Sequence, residues 1–459
     1  MTIRLLRAAA PAALGLAASL MGCANLTVPD LNNSSISDFQ SHPSAAGADA
    51  IATGLLRGSR DGTWFLIRTL GVFGREGYSL NVAQGDLPTY LVGPLSPGDF
   101  LVSGTWNQQY ADLRAANILL DGLPNVTDLT APQKEAMTGF VQTMEAFDLS
   151  QLAATRDTFG IPIVVDIDPT GALPAIAPKA QVYQHIYSLL DSAQTHLQNG
   201  GGVFPFPMPH GFTGFDTPTA FIPFNRALRA RVDITLSNYT QALTDLSASF
   251  LSTSAPLSLG PVFEFSTNAG DEVNPLFVPF LYAHPRLVSE AQHRGPPPDT
   301  TLDLRVQEKL VTVPSFTLEG VTTNVQFTLY NSSASPIPVI RNEELILMRA
   351  EANFGLGNKT TALSDINLIR TSSGGLAALP GSFAAGPDSA MLNEILYEKR
   401  YSLVWEGGHT WLDMRHYGLL ATLPKAVSTH HIFEIMPYPL ADCQGRTPKP
   451  EGCNFVVGY

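Results

Sequence analysis

The sequence predicts a mostly α fold, in which tetratricopeptide-like helix pairs form a superhelical scaffold carrying a loop-rich layer and short strands. Three observations carry this. Apolar residues recur at spacings of three and four in one segment after another, which gives each segment a helical face to bury. The segments come in pairs at roughly the 34-residue scale of a tetratricopeptide unit, and a single pair cannot bury both faces without stacking on the next. Between them, 38 Gly and 35 Pro in 459 residues mark long, irregular connections.

The chain begins with a segment that reads as processing signal rather than fold. Arg4 and Arg7 precede an apolar run, Ala8 to Ser19, too short to span a bilayer. The run ends Leu20-Met21-Gly22-Cys23, and a small residue before a Cys at this place resembles the bacterial lipobox. Residues 1–22 are thus expected to be a lipoprotein signal peptide, with Cys23 acylated; two or three acyl chains hold a protein on a membrane where one does not. An ordinary signal peptide with an incidental Cys is the other reading. Residues 23–45, polar and turn-rich, are expected to be a linker, and 46–459 a single domain. No later apolar run is long enough for a transmembrane helix.

Ala46 to Leu56 reads as a short helix. Residues 57–105 have loop composition with aromatics among Gly and Pro: Trp64, Phe65, Phe73, Tyr78, Tyr90 and Phe100. Helices are expected over Trp106–Gly122, Ala131–Thr155 (Pro132 suits a first turn) and Val182–Leu197. The segment 159–165 goes extended. The stretch GGGVFPFPMPHGFTGFDTP, within an insertion near 200–220, is either a loop whose aromatics pack on the body or a ligand-facing rim. Phe224–Phe250 is helical with a break near Asn238. Residues 255–335 lose helical periodicity and suggest short strands or a hairpin. Arg341–Gly357 and Thr360–Thr371 form a helix–turn–helix around GLGN. Met391–Glu406 reads as a long helix stopped by Gly407-Gly408, followed by a short one over 410–417. The expected pairs are 106–121 with 132–155, 180–198 with 223–237, 341–355 with 360–371, and 391–406 with 410–417.

Net charge of −13 and the lack of any Lys/Arg-rich run disfavour nucleic-acid binding. Cys443 and Cys453 form an even pair in a chain that reads as exported, which favours a disulfide; a metal site there lacks further ligands. No G-x-S-x-G, H-E-x-x-H or H-x-H motif occurs. His430 and His431 are adjacent and point apart in most conformations, so they read as a solvated loop. Asp166 and Asp168, beside Pro169, read as a turn rather than as the facing carboxylates of a glycosidase. GGGVFPFP lacks the Lys and the helix of a phosphate loop. No catalytic residue, metal or cofactor is expected.

Three C-terminal stretches then carry a resemblance: RNEELILMRAEANFGLGNKTTALSDINLIR, ILYEKRYSLVWEGGHTWLDMRHYG and the closing IFEIMPYPLADCQGRTPKPEGCNFVVGY. In this order they resemble the RagB/SusD family of surface lipoproteins. GTWNQQYADLRAANILLDGL, MEAFDLSQLAATRDTFGIPIV, FNRALRARVDITLSNYTQAL and DLRVQEKL extend the likeness over nearly the whole mature chain. The resemblance implies four helix pairs with a loop-rich face, and no catalytic residues. It also implies a surface-exposed outer-membrane protein that captures a glycan, or in some members a peptide, for a SusC-like TonB-dependent transporter. Two departures stand out. Thr410 lies where the family pattern has Arg, and the ending Asn454 to Tyr459 differs from the usual Gln-Asn-Pro-Gly-Tyr.

Sugar faces stack on aromatic rings while amides, carboxylates, guanidinium or imidazole groups bond the hydroxyls. On that chemistry Trp64, Phe65, Tyr78, Asn81 and Tyr90 in the first insertion, and Tyr282, His284 and Arg286 in the insertion at 255–335, are the candidate ligand contacts. The charged stretch EKRYSLVWEGGHTWLDMRHYG looks chemical but reads as a structural corner. Glu398, Ser402 and Glu406 would share a helix face, Thr410 would cap the next helix, and Arg400, Glu406, Asp413 and Arg415 would lock the last pair. Three rivals remain: a peptide-binding member of the same family, a lipid-anchored hydrolase, and a tetratricopeptide scaffold for other envelope proteins.

Overall fold

The computed structural model describes residues 36–83, 88–165, 171–296 and 298–459. Residues 1–22, expected to be a signal peptide, and Cys23, Asp166 and Asp168 lie outside the described residues. The folded body starts earlier than expected: Ile36–Ser41 is a short helix within the stretch read as linker, and its Phe39 is buried.

Helix α1 spans Ala45–Phe73, and Ser44 caps it by accepting from the Gly47 backbone N–H. It corrects the first insertion, because it carries straight through Trp64 and Phe65. Its glycines disguise it. Added Cβ atoms would overlap Asp112 at Gly58 and Gln109 at Gly62, so the glycines let α2 (Asn107–Gly122) lie close. Next come α3 (Ala131–Arg156), opened by a Thr130–Gln133 capping box, and α4 (Lys179–Asn199). Then follow α5 (Pro218–Thr235), α6 (Tyr239–Ala248), α7 (Asn342–Gly355) and α8 (Lys359–Ser372).

The pairs that pack are α1 with α2, α3 with α4, α5 with α6, and α7 with α8. The expected N-terminal pairs, α2 with α3 and α4 with α5, also pack, but less extensively than α1 with α2 and α3 with α4, because counting began after α1. Helix α9 (Asp388–Ser402) closes on α7 and α8; α10 (His409–His416) touches α9 and returns to α1. Helix α9 ends four residues before Glu406. Apolar Leu403-Val404-Trp405 continues the pattern, but Trp405 turns left-handed at φ 59°.

A four-stranded antiparallel sheet forms the second layer: β1 (Gly77–Ser79), β2 (Leu281–Ala283), β3 (Leu310–Leu318) and β4 (Val321–Phe327), in the order β1-β2-β4-β3. Positive φ at Glu319 and Gly320 makes the two-residue turn of the expected hairpin. In the 200–218 loop Phe204, Phe206, Phe212 and Phe215 are buried, with Phe204 and Phe206 against Phe140. This is the packing arrangement, not a rim. Cys443 and Cys453 are joined by a disulfide. Among the described residues no helix is long and apolar enough to cross a membrane.

The α1–α2–α3 interface holds an unusual group. Asp112, Asp148 and Glu145 are buried, and among the described residues no cation pairs with them. Burial pushes Asp112 and Glu145 up to about 8, and burial plus neighbouring Asp112 raises Asp148 well above the usual range.

Candidate functional site

The charged C-terminal stretch builds a corner, though with different partners from those expected. Buried Glu76, just beyond α1, accepts from the Trp405 backbone N–H at 2.7 Å and the Thr410 N–H at 3.1 Å. It thereby occupies one backbone donor in the first turn of α10, a role expected of the Thr410 side chain; the residue at the cap is Gly408. Burial pushes the Glu76 carboxyl up to about 7, against the lowering effect of those two bonds. Glu406 is forked by Arg341 (2.7 and 3.1 Å), not by Arg400 or Arg415. Lys399 sits between Glu351 (2.8 Å) and Asp413 (2.5 Å). One cation serves two buried carboxylates, so burial and then the excess negative charge push Asp413 up to about 7. Arg415 donates to the backbone carbonyls of Ala154 (2.7 Å) and Glu434 (3.1 Å) and stacks on Trp411.

Arg400 does not belong to this corner. It faces Glu290 at 2.6 Å and the rings of Tyr397 and Tyr401. Glu398 is also turned elsewhere, to Arg305 at 2.6 Å. His430 is buried rather than solvated, and burial followed by nearby Arg75 lowers it to about 4. Among the described residues no cluster has the makings of a metal site.

Behind α10 the scaffold forms a partly open cavity of about 330 Å³, lined by α1, α3, α4, α5, α7, α9 and α10. His409, Leu412, Asp413 and His416 line it from α10, at spacings that make one helical face. Opposite are Phe147, Leu228 and Met348.

The expected ligand residues fall into two groups, and not all of them reach the surface. Half-buried Trp64 and Phe65 continue through Phe100 to Tyr90 in a chain of edge-on rings, with centroids 5.3, 6.4 and 6.1 Å apart. Tyr90 itself is fully buried under Arg68 and corrects the expectation of an exposed ring. Tyr78 and His284 are corrected likewise: they pack on each other in the interior, centroids 5.0 Å apart. Burial, reinforced by Arg286, lowers His284 to about 3. Tyr282 stays half-exposed on β2, its ring parallel to Phe316 at 5.5 Å. Arg286 and Arg400 share the single carboxylate of Glu290. Asn81, also half-exposed, spends its side-chain oxygen on the Ala83 N–H. Phe316 and Phe100 were not singled out as ligand contacts, since only the fold sets them beside Tyr282 and Phe65.

Residues 309–444 match the model of the SusD family. The fold matches solved structures along most of the chain. A SusD superfamily protein from Bacteroides vulgatus aligns with TM-score 0.62 at 16% identity, covering 87% of this chain and 99% of that one. The chain has a SusD-like fold. Bacteroides fragilis NanU is similar at TM-score 0.66 and 16% identity, covering 92% and 100%. A laminarin-binding SusD-like protein is similar at TM-score 0.58 and 18% identity, covering 86% and 97%. No curated protein matches the chain. Within this SusD-like fold the place of Thr410, where the resemblance leads one to expect Arg, has a local explanation. The corner's carboxylates are served by Arg341 and Lys399, and Thr410 contributes its backbone N–H to Glu76.

Proposed function

We propose that this SusD-like protein is a cell-surface lipoprotein that captures an oligosaccharide for a SusC-like TonB-dependent outer-membrane transporter, binding its ligand without turning it over. The carrying observation is the parallel, half-exposed Tyr282–Phe316 pair. A flat apolar platform suits the apolar face of a pyranose, and Arg286 lies four residues along the chain to bond hydroxyls. Trp64 with Phe65 and Phe100 offers a second such surface. The laminarin-binding relative of the same fold supports a glycan rather than a peptide ligand. On this reading residues 1–22 are removed, Cys23 carries the lipid, and the tether to the body is shorter than 23–45 because Ile36–Ser41 already packs.

The test is a glycan array followed by calorimetry. Tyr282→Ala should weaken the best glycan at least about tenfold, some 1.4 kcal/mol, with Trp64→Ala as the comparison at the second surface. If neither change moves glycan affinity, the platform assignment is wrong. Binding of peptides and of no glycan would select the peptide reading, and product formation would select the hydrolase. Purification from native outer membrane without a barrel partner would remove the transporter claim.

A further inference from the structure

The cavity behind α10 has no part in glycan capture as proposed above, and its walls have a chemistry of their own. Leu66, Phe147, Leu228, Met348 and Leu412 make it largely apolar, which suits a hydrocarbon or aryl body better than a hydroxyl-rich ring. A volume of about 330 Å³ admits a small molecule.

Four cations line the space, and three are neutralised. Arg231 forks onto Glu344 at 2.7 and 2.8 Å. Lys399 is held by Glu351 and Asp413, and Lys179 by Asp157 at 2.5 Å. Arg415 is the exception. Among the described residues no carboxylate pairs with it, and its guanidinium, which carries five N–H donors, bonds two backbone carbonyls. Its face rests on Trp411 at 4.4 Å, which fixes the plane of the guanidinium. Burial, opposed only by more distant charges such as Asp157, lowers its pKa. A half-buried cation short of a counter-ion gains most from a carboxylate, which a guanidinium receives through paired, charge-assisted bonds.

We propose that this cavity is a binding site for a small monocarboxylate with an apolar body, its carboxylate held by Arg415. The site is separate from the aromatic surfaces of the sheet and of Trp64, so it stands or falls independently of the glycan ligand.

The experiment is isothermal titration of the full mature chain with hexanoate, phenylacetate and indole-3-acetate, each beside its neutral amide. At least one acid should bind, and its amide should bind about tenfold or more weakly. Arg415→Gln should abolish the difference between acid and amide. Because that change also removes the bonds to α3 and Glu434, a second variant, Leu228→Phe, fills the cavity while leaving Arg415 intact; it should lose acid binding and keep glycan binding. No heat from any acid up to about 10 mM, equal binding of acid and amide, or full binding in folded Leu228→Phe would each overturn the proposal. The comparison of acid with amide needs no variant, so a variant that fails to fold leaves the decision intact.

Discussion

Replacing Glu76 probes the corner most directly. Glu76→Ala strips the acceptor from two buried backbone donors, Trp405 N–H and Thr410 N–H. Each unsatisfied donor costs about 1–3 kcal/mol, and the deleted side chain leaves a void, so a loss of roughly 3–6 kcal/mol is expected under acidic conditions. Glu76→Gln keeps the shape but turns an amide N–H₂ toward one of the donors, at about 1–3 kcal/mol. The pH dependence has a definite sign. The folded carboxyl stands near 7 and its ordinary value is 4.5. Between those limits the folded state holds a proton that the unfolded chain has released. The stability contributed by this group is therefore greatest below about 4.5 and falls as pH rises to about 7, by roughly 3 kcal/mol. Neither variant titrates there, so the gap between wild type and variant should be widest at pH 5 and narrowest at pH 8. Urea unfolding followed by circular dichroism across that range measures it. A gap that stays constant with pH, or wild-type stability of Glu76→Ala at pH 5, refutes the argument.

Asp148→Asn should raise the melting temperature at pH 8.5 and change it little at pH 5, because Asp148 is held protonated in the fold and burying its ionised form costs stability as pH rises; scanning calorimetry at both pH values decides. Lys399→Met leaves Glu351 and Asp413 buried without a cation and should cost about 3–5 kcal/mol. Asp413→Asn preserves the Lys399–Glu351 pair and should cost under about 1 kcal/mol, as should Arg400→Ala, whose partner Glu290 is exposed. Chemical denaturation of the three side by side tests that ranking, and a large loss from Arg400→Ala would return it to the corner. Replacing both Cys443 and Cys453 by Ser frees a short loop and should lower stability by roughly 3 kcal/mol; an unchanged unfolding midpoint under non-reducing conditions would count against it.

Helices α2 to α10 were legible near where they lie, most plainly those that bury a continuous stripe: Phe140, Met144 and Phe147 on α3, or Tyr183, Ile186 and Leu190 on α4, mark themselves at spacings of three and four. Helix α1 was cut short in the sequence because Gly54, Gly58 and Gly62 imitate a loop when their neighbours are unknown. Only the presence of Asp112 and Gln109 explains Gly58 and Gly62. The site was read less well. Composition located aromatic-rich segments but not the direction of each ring, so Tyr78, Tyr90 and His284 were grouped with Tyr282 although the fold turns them inward. Glu76 gave no signal at all. A single Glu in FGREGYS belongs to no periodic pattern, and its partners are backbone groups more than three hundred residues away.

That separation matters for how the molecule assembles. The Glu76 clasp joins the end of the first long helix to the turn before the last one. Closing so large a loop carries an entropic cost that must be met before the contact returns anything. The clasp is therefore out of reach while the polypeptide is still being made, whatever the earlier helix pairs have done. A chain truncated before Trp405 should retain helix yet expose Leu70, Phe73 and the other apolar groups that the last turn covers, and so be readily cleaved by proteases.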